Sequence, residues 1–214
     1  RSTLFPYTTL FRSKVLQRTV IQNVLDGRDT LAVMPTGGGK SLCYQIPALL
    51  SEGLTVVISP LIALMQDQVT QLESFGIAAA FINSSLEWNE YTAVCDRIRR
   101  GQIKLLYVSP EGLATERIRD LLHSRNVKLS CITIDEAHCI SEWGHDFRPD
   151  YMEIASVREE FKGATCLALT ATATKQVQND IVRNLRKTTA VFCIYDINLT
   201  IFPRAQQPCR GAYL

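Results

Sequence analysis

Leu31-Ala-Val-Met34-Pro-Thr-Gly-Gly-Gly-Lys-Ser41 joins a short apolar run to three glycines, a lysine and a serine, and the segment after it reads as the start of a helix. Backbone N–H groups can turn inward around an anion only where no Cβ obstructs them. Gly37, Gly38 and Gly39 supply that freedom. The helix that follows adds unpaired N–H groups and the positive end of its dipole. In such a loop the lysine, Lys40, meets the β- and γ-phosphates of a nucleotide, and the Ser41 hydroxyl helps hold Mg²⁺. Thr36, Gly37, Gly38, Gly39, Lys40 and Ser41 are therefore the candidate nucleotide-binding residues. The usual pattern begins with a glycine where this chain has Met34. A Gly-Lys-[Ser/Thr] triplet alone arises by chance in about one chain in ten of this length. The alternative, a glycine-rich turn between strand and helix, thus has to be decided by the rest of the sequence.

Outward from the loop, strands and helices alternate. Val15, Leu16, Val20, Ile21, Val24 and Leu25 fall on one side of a helix starting at Lys14, and Gly27 stops it. Short β-rich runs are predicted at Thr30–Met34, Thr55–Ser59, Ala78–Ile82, Leu105–Ser109, Ser130–Asp135, Cys166–Thr170 and Ala190–Ile194. Helical stretches are predicted at Leu61–Phe75, Trp88–Arg100, Gly112–His123 and Lys175–Leu185. Strands apolar on both faces, linked by helix-length crossovers, imply an α/β fold with a mainly parallel sheet covered by helices on both sides. Ligands on such a sheet bind beyond the carboxyl ends of the strands, where the glycine loop falls.

Ile132-Thr-Ile-Asp135-Glu136-Ala-His138 ends another apolar strand in two carboxylates, 95 residues past Lys40. The first acid of such a pair holds Mg²⁺, and the second orients or deprotonates the attacking water. An isolated Asp-Glu pair could equally be a solvated helix cap. Combined with the glycine loop, the pair reads as the second half of an ATP site, with Lys40, Asp135 and Glu136 as candidate catalytic residues and Ser41 and Asp135 as candidate Mg²⁺ ligands.

With 214 residues, 46% hydrophobic content and 21% charged residues, the chain can bury a full core, and its net charge of +2 gives no global signal for a nucleic-acid partner. No apolar run reaches membrane-spanning length and no charged-then-apolar leader opens the chain, so it reads as soluble and intracellular. The seven cysteines, Cys43, Cys95, Cys131, Cys139, Cys166, Cys193 and Cys209, never form a C-x-x-C pair. That speaks against a disulfide framework and a zinc ribbon, and for buried, reduced thiols. Residues 1–13 resemble the in-frame translation of a short-read sequencing adapter and are set apart from the fold. Residues 14–190 form the expected domain, and residues 191–214 read as a divergent or frame-shifted tail that loses periodicity after Ile194.

The chain resembles the first motor domain of RecQ-family DNA helicases, in helicase superfamily 2, from about Gln17 to Leu185. Pro35–Pro47 is similar to motif I, Ser59–Gln68 to motif Ia, Asp135-Glu-Ala-His138 to motif II and Leu169-Thr-Ala-Thr-Ala173, with Thr170 and Thr172, to motif III. Cys139-Ile-Ser-Glu-Trp-Gly-His-Asp-Phe-Arg-Pro-Asp150 resembles the aromatic-rich loop that sets the family apart. Trp143, His145 and Phe147 offer flat faces on which bases could stack, and Arg148 can pair with phosphate or lie over a ring. The alternative for Trp143 and Phe147 is a pair of core anchors. His123 has no motif around it and reads as a surface helix residue.

The resemblance implies a three-layer RecA-like domain that uses ATP and Mg²⁺, with Gln17 reading adenine and His138, Thr170 and Thr172 serving coupling or DNA contact. It further implies single-stranded and duplex DNA as partners and 3′-to-5′ movement in DNA repair or recombination. A second RecA-like domain, absent here, would supply arginine fingers, so the isolated chain is expected to bind nucleotide weakly and hydrolyse it poorly. The implied location is the cytoplasm of a bacterium or the nucleus of a eukaryote, with no membrane and no zinc site in this fragment. Two features depart from the family: Ser13 and Lys14 stand where Phe-Arg is expected, and Gly112 stands where arginine is usual. The competing readings are another superfamily 2 translocase, which the aromatic loop disfavours, and a catalytically inactive nucleic-acid-binding remnant.

Overall fold

Strands that carry apolar residues on both faces need cover on both sides, and this chain provides it. The structure, a computed structural model, describes residues 5–83, 86–185 and 193–196. The strands are β1 (Thr30–Val33), β2 (Leu54–Ile58), β3 (Ala79–Ile82), β4 (Leu105–Val108), β5 (Leu129–Ile134), β6 (Thr165–Thr170) and β7 (Cys193–Asp196). They form one sheet in the order β3-β4-β2-β5-β6-β1-β7, and every pairing is parallel.

Alternate residues of each strand enter different cores. On one face Leu31, Val56, Ile58, Cys166 and Ala168 pack with side chains from α4 (Trp88–Arg99), α5 (Pro110–Leu113), α6 (Glu116–Leu122), α7 (Glu153–Glu160) and α8 (Lys175–Leu185). On the other, Ala32, Val57, Leu167 and Leu169 pack with Val20 and Val24 of α1 (Phe5–Leu25), with Cys43, Tyr44 and Ala48 of α2 (Leu42–Leu50), and with Met65, Val69 and Leu72 of α3 (Ile62–Ser74). The result is the expected three-layer α/β arrangement. Each fully buried Leu or Ile in these layers contributes about 1.5–3 kcal/mol relative to exposure.

Element boundaries differ from expectation at four places. Helix α1 begins at Phe5 rather than Lys14. Pro6 stands in its first turn, where a missing N–H is harmless, and no glycine or second proline interrupts the chain before Gly27. The helix expected over Gly112–His123 is two helices. Thr115 is extended (φ −72°, ψ 140°), and its hydroxyl donates to the Gly112 carbonyl at 2.7 Å, taking an acceptor from the helix. Helix α7 carries no cap signal in sequence. The last strand covers Cys193–Asp196, so it continues past Ile194, while Ala190–Phe192 lie outside the described residues.

A buried polar junction ties distant segments together below β1. The Asp29 carboxylate accepts from the Cys166 amide at 2.7 Å and from the Arg158 guanidinium, which also donates to the Leu185 carbonyl. Cys43, Cys95, Cys131, Cys139 and Cys166 are buried free thiols. Among the described residues no helix is long and apolar enough to cross a membrane.

Candidate active site

Because all strands are parallel, the carboxyl ends of β1, β5 and β6 share one edge of the sheet. At the end of β1 the Met34 amide bonds to the Thr170 carbonyl at 2.9 Å, and the chain then turns, with the Gly38 amide bonding to the Pro35 carbonyl at 2.9 Å. Met34, where the usual loop has glycine, is fully buried, and its sulfur lies 3.8 Å from Cys43 Sγ under α2. Gly37 and Gly39 both have φ of +75°, and a Cβ on Gly39 would come within 2.0 Å of Gln17 Nε2. That closeness reflects a direct contact: the Gln17 amide donates to the Gly38 carbonyl at 2.6 Å. Thr36 stands exposed on the loop. Ahead of α2, Lys40 and Ser41 occupy the position where a helix leaves N–H groups without carbonyl partners.

The acid pair follows β5. The Asp135 amide extends the ladder to the Ile58 carbonyl at 2.9 Å, and Glu136 then adopts a left-handed backbone (φ 49°, ψ 45°), the one non-glycine residue with positive φ among those described. Such a conformation costs about 1–3 kcal/mol and is held by its surroundings. The Tyr151 hydroxyl donates to the Asp135 carbonyl at 3.0 Å, and the Glu136 amide donates to Asp135 Oδ1 at 3.1 Å. Asp135 is buried, and burial together with the Glu136 charge pushes its carboxyl up to about 6. Glu136 is held below its ordinary range, chiefly by the hydrogen bond from His138 and also by Lys40.

The two halves meet. Lys40 Nζ lies 3.8 Å from Glu136 Oε1. Burial pushes the Tyr44 phenol well above its ordinary range and the nearby Asp135 charge adds to the rise, so the first turn of α2 lies close to the first acid.

From Glu136 a chain of contacts runs to the aromatic loop. The 3₁₀ turn Ala137–Ile140 brings His138 Nδ1 to 3.2 Å from Glu136 Oε2 and 2.9 Å from Thr170 Oγ1. The Thr170 hydroxyl proton is committed to the Thr172 carbonyl at 3.2 Å, so Oγ1 accepts, and His138 carries a proton on Nδ1. His145 stacks on His138 with ring centroids 4.4 Å apart and planes 12° from parallel. Gly144 lets the loop come this close, since a Cβ there would lie 2.5 Å from the His138 carbonyl oxygen. The Arg148 amide bonds to the Cys139 carbonyl at 3.0 Å, and its guanidinium pairs with Asp146 at 3.1 Å. Cys139 Sγ donates to the same carboxylate at 3.7 Å.

Trp143 is 68% exposed and Phe147 36%, so neither is a core anchor. A cleft of about 380 Å³ separates the loop from the segment after β6, lined by His138, Trp143, His145, Thr172, Ala173 and Val177. His123 is a surface residue at the end of α6, 2.9 Å from Glu160 and stacked on Phe161. Sequence reasoning brought together Lys40, Ser41, Asp135, Glu136, His138 and Thr170, and the structure gathers them at one edge. It did not single out Tyr44, Tyr151 or Gly144. Tyr44 and Tyr151 act through contacts distant in sequence, whereas Gly144, flanked by Trp143 and His145, was a local signal.

A family model described as DEAD/DEAH box helicase matches residues 14–181. The chain is 53% identical over 169 residues to the ATP-dependent DNA helicase RecQ of Haemophilus influenzae, covering 79% of this chain and 27% of that protein. It is 44% identical over 199 residues to the probable ATP-dependent DNA helicase RecS of Bacillus subtilis, covering 92% of this chain and 39% of that one. The chain therefore spans only a minor part of the length of these curated relatives. Among solved structures, the Hef helicase domain of Pyrococcus furiosus superposes with a TM-score of 0.59 at 19% identity, covering 85% of this chain and 37% of that one. A DUF1998 helicase, MrfA, in a complex with DNA, superposes with a TM-score of 0.63 at 20% identity, covering 84% and 26%. At such identities the likeness is one of fold.

Proposed function

Because the chain belongs to the DEAD/DEAH box helicase family, we propose that residues 14–190 are the ATP-binding motor domain of a RecQ-type helicase that couples hydrolysis to 3′-to-5′ movement on single-stranded DNA. The observation that carries this reading is the unbroken series of contacts from Lys40 through Glu136 and His138 to His145. It joins a phosphate-binding lysine to an exposed aromatic loop within one short segment.

The residues fit a magnesium ion. Burial and then the Glu136 charge raise the Asp135 carboxyl, so the acid pair concentrates negative charge that a bound cation would relieve. Ser41 and Asp135 would hold the ion, which neutralises charge on the β- and γ-phosphates when bound. Lys40 binds those phosphates, with Thr36 and Gly37 to Gly39 wrapping them. Once Lys40 turns to the phosphates, Glu136 is freed to orient the attacking water and accept its proton. His138 fixes Glu136 through its Nδ1 proton. Gln17, seated on the phosphate loop, is positioned to sense adenine and loop geometry together. Trp143, Phe147 and Arg148 take a single strand by stacking and charge, and a shift of His145 passes through the stacked rings to His138. Thr170 and Thr172 set the other side of His138.

In this reading the motor also takes in β7, which pairs with β1, a second RecA-like domain supplies the arginine fingers, and the protein works in whichever compartment holds the DNA. The test is ATPase activity with and without single-stranded DNA, on this chain and on a longer form carrying a second RecA-like domain. Strand stimulation in the longer form is expected; its absence in both forms overturns the proposal in favour of an inactive remnant.

A further inference from the structure

A second cleft, of about 370 Å³, opens at the carboxyl ends of β3 and β4, on the same sheet edge as the phosphate loop. It is lined by Asn83, Trp88, Tyr91, Ser109, Gly112 and Arg117, among others. Trp88 is the first residue of α4 and is 60% exposed, an unusual place for the largest apolar side chain. One turn on, Tyr91 stacks beside it with centroids 5.7 Å apart and planes 19° from parallel. From α6, the Arg117 guanidinium lies over the indole at 5.2 Å from the ring centroid.

Arg117 makes no ion pair among the described residues, although Glu111 lines the same cleft. Two residues further along α6, Arg119 is committed to Glu153 and Glu160. Arg117, by contrast, has no carboxylate within ion-pair distance among the described residues. Gly112 lines the same cleft, and a Cβ there would press on Ser109 Oγ at 3.1 Å and Val108 Cγ2 at 3.3 Å. An exposed indole beside a guanidinium that makes no ion pair among the described residues offers the two things a nucleotide unit needs, a stacking surface and a phosphate contact. Strand spacing puts this cleft about 10–15 Å across the sheet edge from β5 and its aromatic loop, close enough for one strand to reach both.

We propose that Trp88 and Arg117 form a second contact for the single strand, the guanidinium taking a backbone phosphate and the indole a base. This rests on the strand-binding reading of the Trp143 loop given above. The chain has only two tryptophans, so each site can report on itself. In Trp143→Phe, Trp88 is the sole indole; in Trp88→Phe, Trp143 is. Both variants are titrated at low salt with oligo(dT) and with an abasic oligonucleotide of equal length.

The expected result is quenching of Trp88 emission by oligo(dT) and little change with the abasic strand. Adding Arg117→Ala to Trp143→Phe should weaken binding about tenfold. The slope of log K against log salt should fall by about 0.7, with Arg117→Lys restoring it. Arg117 is exposed, and an unchanged thermal melt of Arg117→Ala separates lost binding from lost folding. If Trp143 emission responds to oligo(dT) and Trp88 emission does not, the second contact is wrong and the aromatic-loop reading stands. If neither responds, both fall.

Discussion

Lys40 Nζ and Glu136 Oε1 face each other across 3.8 Å, so the group suited to phosphate and the group suited to water neutralise one another. In the proposed mechanism the arrival of nucleotide separates them. Lys40→Ala removes both the phosphate contact and the brake on Glu136. Hydrogen bonds to charged groups contribute about 1.5–3 kcal/mol, so nucleotide affinity should fall by about 10- to 150-fold. Titration with a fluorescent ATP analogue measures it, and a dissociation constant within twofold of the parent would remove Lys40 from the site.

Glu136→Gln keeps the shape of the acid and can still accept from His138, but it cannot take a proton. In a form of the protein with both motor domains, nucleotide binding should stay within about threefold, since the lost group is not a phosphate ligand. Turnover should drop by about 10²- to 10⁴-fold. Single-turnover ATP hydrolysis separates the two quantities, and a normal rate would show that another group serves as the base.

Trp143→Ala and Tyr151→Phe test opposite ideas about the aromatic segment. Trp143 is mostly exposed, so its loss should change stability by no more than about 0.5 kcal/mol while abolishing strand stimulation of ATPase activity. Tyr151 is buried with its hydroxyl on the Asp135 carbonyl, so removing that hydroxyl should cost about 1–3 kcal/mol. Urea melts paired with ATPase assays distinguish them; a strongly destabilised Trp143→Ala with intact stimulation would return Trp143 to a packing role.

Burial pushes the Cys43 and Cys131 thiols up to about 12 from an ordinary 9.0. Between those values the unfolded chain releases these protons while the folded one keeps them. The folded state then binds more protons, so stability falls as pH rises through that window, by up to about 1.4 kcal/mol per pH unit for each thiol. Below pH 9 these thiols contribute no pH dependence. Urea melts at pH 8, 9 and 10 should show a shallower decline in the Cys43→Ala/Cys131→Ala variant than in the parent. Identical slopes would mean that the thiols ionise freely in the fold.

The sheet was legible because its strands are sealed on both sides: Leu31 to Val33 or Leu167 to Leu169 leave no polar position that could face solvent, which restricts them to one kind of place. Chemistry-bearing loops were legible for a different reason. Gly39, Lys40 and Ser41 act as neighbours in sequence, and so do Asp135 and Glu136. Where sequence reading stopped, the cause was action at a distance or competition within a turn. Thr115 broke a helix because its hydroxyl claimed a carbonyl three residues back. The left-handed backbone at Glu136 depends on Tyr151 and His138 holding the turn, and the meeting of Trp88 with Arg117 depends on two helices lying side by side. No local pattern encodes these.

Asp29 and Cys166, joined by one hydrogen bond below β1, are 137 residues apart in the chain. At the ribosome, with about 5–20 residues added each second, Asp29 is added roughly 7–27 s before Cys166. Leu185, whose carbonyl accepts from Arg158 at the same junction, is added later still. A nascent chain halted before Cys166 carries the whole glycine signature without the strand that β1 pairs with, so the loop's support is completed only late in synthesis.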